Sequence, residues 1–68
     1  MTQYYVNRRP QANGDHEVHT SECPRLPSEE NRLNLGSFKN CSGAVREACK
    51  YYSRVNGCQY CARECHTR

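Results

Sequence analysis

Apolar residues along this chain fall into short groups separated by polar ones, and no run is long. Tyr4-Tyr5-Val6 joins aromatic to β-branched residues, and Glu17-Val18-His19 is a second short strand candidate. Between them, Pro10 and Asn13-Gly14 are turn formers, so the pattern predicts an N-terminal β-hairpin with a loose loop. From Cys23 to Glu30, Pro24 and Pro27 exclude regular structure, because proline fixes φ and removes a backbone donor. Asn31-Arg32-Leu33-Asn34-Leu35-Gly36 alternates polar with apolar as a short strand or extended segment does, and Phe38 anchors its end in the core.

The spacing then changes to that of a helix. It runs from about 42 to 54, with Asn40 or Ser42 as N-cap and Asn56-Gly57 as its stop. At about 100° per residue, Cys41, Val45, Ala48 and Tyr52 form one stripe flanked by Ala44 and Cys49, with Arg46, Lys50 and Arg54 opposite. Gly57-Cys58-Gln59-Tyr60-Cys61 reads as a tight turn carrying two thiols, and the polar tail from Ala62 to Arg68 as one last helical turn. These elements predict an α+β fold in one small domain over residues 1–68: a hairpin, a third short strand, one main helix and a C-terminal Cys-x2-Cys knuckle.

Composition raises the question of what holds so short a chain together. At 68 residues surface dominates volume, and with no Ile or Trp the aliphatic content is that of many disordered chains. Six cysteines and five tyrosines are the opposite of the disorder signature, and point to a fold built around cross-links or a metal. No apolar run approaches the roughly 20 residues needed to span a bilayer, and the N-terminus lacks the charged and apolar regions of a secretion signal. The expectation is a cytoplasmic, monomeric protein with no membrane partner, in a compartment where cysteines persist as thiols and serve metal or redox sites.

His19-x3-Cys23 and Cys58-x2-Cys61 supply four soft donors in two close pairs, the arrangement that lets two turns close a tetrahedron around Zn²⁺. Such closure suits a core this poor in aliphatics, because metal-binding free energy becomes folding free energy. A disulfide framework and a metal-free domain with reduced, buried cysteines are the competing readings. Cys41 and Cys49 cannot bridge if both lie on the helix, since eight residues separate them by about 12 Å; both read as core thiols. Cys65 and His66 are alternative fourth ligands by spacing, while His16 lies nearer the hairpin loop and reads as solvent-exposed.

No Ser-His-Asp pattern, paired carboxylates or Gly-rich phosphate loop is visible, so the chain reads as a non-enzyme. A redox dithiol at Cys58 and Cys61 would want a preceding strand, a helix opening at the first cysteine and a βαβ context. The net charge of +3 falls short of a nucleic-acid-binding excess, although Arg46, Lys50 and Arg54 at i, i+4, i+8 form a basic stripe that could contact an anion and that Arg8 and Arg9 could extend.

His19-x3-Cys23-Pro24, Asn31-Arg32-x2-Leu35-Gly36-x-Phe38, Cys41-x2-Ala44 and Gly57-Cys58-x2-Cys61 together resemble a family of small bacterial proteins, over most of the chain. That family brings no function with it. The same string is distantly similar to the zinc-binding domain of Ada, the DNA methylphosphotriester repair protein, whose ligands follow Cys-x3-Cys and Cys-x2-Cys. The resemblance implies a metal scaffold at Cys23, Cys58 and Cys61. It does not imply methyl transfer, because the acceptor cysteine's position is His19 here. The leading expectation is a small zinc-stabilised module that binds a protein or nucleic acid. The alternatives are a thiol-based redox or methyl-acceptor enzyme using Cys58 and Cys61, and a weak nucleic-acid-binding domain.

Overall fold

The computed structural model describes residues 1–67. Four strands, β1 (Thr2–Asn7), β2 (His16–Thr20), β3 (Arg32–Phe38) and β4 (Val55–Gly57), form one sheet in the order β3-β1-β2-β4. One helix, α1 (Cys41–Ala48), packs on it, and 3₁₀ turns lie at Glu29–Asn31 and Arg63–Cys65. The fold is α+β, with the expected hairpin, third strand, helix and knuckle.

β1 and β2 pair antiparallel with Val6 opposite Val18 and Tyr5 opposite His19. In the connecting loop Gly14 sits at φ +93°, a left-handed backbone that glycine adopts without a Cβ penalty, and its N–H donates to Gln11 O at 2.8 Å. Asp15 next to it is buried and accepts from Arg54 Nε at 3.2 Å and Asn56 Nδ2 at 3.4 Å, tying the hairpin to the segment after the helix. β3 pairs antiparallel with β1, and the register slips at Tyr4/Tyr5, where Gly36 (φ +105°) lies opposite Tyr4 and Asn34 opposite Tyr5. That slip is a bulge that lets Leu35 enter the core while Asn34 stays exposed.

The helix is shorter than its polar and apolar pattern predicts. Asn40 caps it, its Oδ1 accepting from Ser42 N at 3.1 Å, but α1 ends at Ala48 instead of Arg54. Lys50 and Tyr51 donate three residues back, to Glu47 and Ala48 carbonyls at 3.1 and 2.9 Å, tightening the last turn. Tertiary pairing overrides local propensity here: His16 N donates to Arg54 O at 2.9 Å, and His16 and Tyr52 stack with ring centroids 3.8 Å apart. His16 is therefore half-buried, a correction to its expected exposure. The residues read as a helix stop become β4, which runs parallel to β2 with Val18 opposite Gly57.

The core gathers Tyr4, Val6, Val18 and Leu35 from the sheet, Cys41, Ala44 and Ala48 from α1, and Ala62. Alanines on the buried face let the helix approach the sheet closely. Cys41 lies in that core as expected, but it is not a free thiol: it is disulfide-bonded to Cys65, joining the start of α1 to the C-terminal 3₁₀ turn. Cys49, beyond the end of α1, is exposed and free, so its reading as a core thiol is also corrected.

Candidate metal centre

Alternation along β2 sends Val18 into the core and its neighbours Glu17 and His19 to the opposite face of the sheet. His19 is nonetheless 1 % exposed, because two loops fold over it. The first turns directly after β2, where Cys23 N donates to Thr20 O at 3.2 Å and brings Cys23 back over the strand. The second is the knuckle after β4, fixed by Cys58 N donating to Val18 O and Ala62 N to Cys58 O, both at 2.9 Å.

These loops place Nδ1 or Nε2 of His19 and the sulfurs of Cys23, Cys58 and Cys61 all within 4.8 Å of one another. Cys23 Sγ and Cys58 Sγ are 3.8 Å apart, and Cys61 Sγ lies 3.9 Å from His19 Nδ1. A tetrahedron with metal–sulfur bonds of about 2.3 Å has sulfur–sulfur edges of about 3.8 Å, so the Cys23–Cys58 separation matches one edge and the four donors lie close enough to share one ion. Each sulfur also receives a backbone N–H: Thr20 to Cys61 at 3.2 Å, and Arg25 to Cys23 and Tyr60 to Cys58 at 3.4 Å each. Hydrogen bonds of this kind favour thiolates.

Without a cation, electrostatics at the cluster favour the neutral Cys61 thiol. Burial pushes the Cys61 thiol up to about 12, the crowding sulfurs of Cys23 and Cys58 add to the rise, and the Thr20 N–H only partly opposes it. Three sulfurs held this close ionise together only with positive charge among them. Burial also lowers the His19 pKa, against the upward pull of Glu17, and so favours the neutral ring that ligates a metal.

Glu17 is the residue that the sequence reading misses. Its Oε1 is 3.5 Å from His19 Nε2, the nitrogen turned away from Cys61. A carboxylate behind a ligating imidazole orients the ring and raises its basicity. The signal available in the sequence is the i, i+2 spacing on a strand. Glu17→Gln is expected to keep one metal per chain while weakening its affinity about 10-fold or more, as measured by competition with a chromophoric chelator.

Two expected alternatives are corrected. Cys65 cannot be a fourth ligand in this structure, because its sulfur is bonded to Cys41. His66 lies beside the knuckle, but its Nδ1 contacts Gly57 O at 2.9 Å and it is not among the clustered donors. The basic stripe also loses its helical basis. Only Arg46 lies on α1, Lys50 pairs with Glu47 at 3.0 Å, and Arg54 lies past the helix, paired with Asp15 at 3.2 Å. No helix of the structure is long and apolar enough to cross a membrane. Comparison with protein-family models, curated proteins and solved structures finds no match to the chain.

Proposed function

We propose that this protein is a small, non-catalytic binding module closed by one structural Zn²⁺ on His19, Cys23, Cys58 and Cys61. The observation that carries the reading is the convergence of four soft donors, three of them buried, from two distant parts of the chain. Three thiolates and an imidazole in tetrahedral array suit zinc above the harder divalent cations. Four protein donors fill the coordination sphere, which favours a structural role over a catalytic one that keeps a position open.

Metal content and free thiols, measured on one sample, test this. The expected result is one zinc per chain with Cys49 as the single rapidly titrating thiol, rising to four when a chelator exposes Cys23, Cys58 and Cys61. Four reactive thiols in metal-free, folded protein would overturn it. A Cys58–Cys61 disulfide in the native protein would instead support the thiol-enzyme reading.

A further inference from the structure

We propose that the helix-free face of the sheet binds single-stranded nucleic acid, reading it through two arginine–tyrosine pairs beside the metal centre. The inference rests on the zinc reading, because the two loops that hold the metal also present one of the pairs. The Arg32 guanidinium lies over the Tyr5 ring, 4.8 Å from its centroid, and that of Arg25 over Tyr60 at 4.4 Å, with Arg25 Nη2 also donating to Tyr60 OH at 3.3 Å. Tyr5 stands between Asn34 and His19 in the sheet register, so the pairs flank one continuous surface. A shallow depression at Tyr5, Arg32 and Asn34 lies on one side, and a cleft at Asn7, Arg25, Gln59 and Tyr60 on the other.

Charge on this face is compatible with an anionic partner, and the aromatic pairs distinguish it from the helix side. Among the described residues Lys50 and Arg54 pair with Glu47 and Asp15, whereas Arg8, Arg25, Arg32 and Arg63 form no ion pair, and neither do Arg9, Lys39 and, on the helix side, Arg46. Arg8 Nε donates to Arg32 O at 3.2 Å, and Arg63 borders Tyr60, Gln59 and His66, so these free cations rim the same face. Glu17, Glu22 and Glu29 border it, and Glu17 is turned toward His19. Flat guanidinium and phenol planes accept the faces of unstacked bases, and Asn34, Asn7 and Gln59 offer amides to base edges. A duplex hides its base faces, and no helix projects here to enter a groove.

Fluorescence anisotropy with a labelled oligothymidylate of about 12 nucleotides, titrated against zinc-loaded protein at several salt concentrations, tests the proposal. Binding should weaken steeply with salt, fall about 10-fold or more in the Arg25→Glu/Arg63→Glu variant and in Tyr60→Ala, and change less than about twofold in Arg46→Glu/Lys50→Glu. Circular dichroism and zinc content of every variant separate lost contacts from lost folding. Wild-type protein that holds its zinc and its spectrum but does not bind overturns the inference and leaves a protein as the partner. So does equal affinity for a duplex, or an equal loss in the helix-side variant. Failure of the zinc reading shows separately, as absent metal in the same sample.

Discussion

Chelation of the proposed zinc is expected to unfold this protein at room temperature, with cooperative loss of the far-ultraviolet dichroism that returns when zinc is restored. The size of the effect follows from what remains once the ion is gone. The core buries one tyrosine, two valines, one leucine, three alanines and Cys41, and Leu33, Phe38, Val45, Tyr52 and Val55 pack against it only partly buried. A structural zinc site supplies on the order of 10 kcal/mol or more at neutral pH. Whole domains are stable by about 5–15 kcal/mol, so a chain this small has little to set against that loss. The disulfide does not compensate: it closes a loop of 24 residues, worth about 3 kcal/mol. A native spectrum after zinc is verified absent by elemental analysis would refute a structural role for the metal.

Gly57→Ala is expected to cost about 3 kcal/mol or more, a large loss for a change of one methyl group. Gly57 is buried in β4 immediately before the knuckle. A Cβ there would lie 2.7 Å from Ala62 O, 2.7 Å from Cys65 Cβ and 2.8 Å from Cys65 C. Two of these are backbone atoms held between the knuckle and the disulfide, so neither can yield without moving one of the cross-links. Urea denaturation of the zinc-loaded variant measures the loss. A midpoint within experimental error of the wild type would show that the C-terminal turn is less tightly packed against β4 than these distances state.

The site is legible in the sequence to the extent that ligands declare themselves by chemistry. His19, Cys23, Cys58 and Cys61 combine donor type with loop spacing, and neither property depends on the rest of the fold. Glu17 is harder to see because a carboxylate behind an imidazole differs from any surface glutamate only by the strand that carries both. The hairpin and the N-cap at Asn40 are likewise local features, visible in Asn13-Gly14 and in the residue before the helical stripe. What escapes is set by distant partners. Tyr52 and Arg54 fit a helical pattern, but stacking on His16 and pairing with Asp15 pull them off it. Val55-Asn56-Gly57 has no alternation of its own and becomes a strand only because β2 offers it an edge. The Cys41–Cys65 bond follows from α1 lying against the C-terminal turn, which no spacing rule contains.

The parallel pairing of β2 with β4 has a kinetic side. His16, Glu17 and Val18 must meet Val55, Asn56 and Gly57, a closure across most of the chain whose entropy is lost before those few sheet contacts return it. One half of the metal centre, His19 and Cys23, lies at and just beyond the end of β2, and the other, Cys58 and Cys61, just beyond β4, so the step that completes the sheet also brings the four donors together. β1, β2 and β3 pair without involving the knuckle, whereas β4 and the knuckle cannot dock without drawing the four donors together. On the proposed zinc reading the free ion is a reactant in the last stage of folding, so the time a new chain spends with its β2 edge uncovered is expected to lengthen as zinc supply falls.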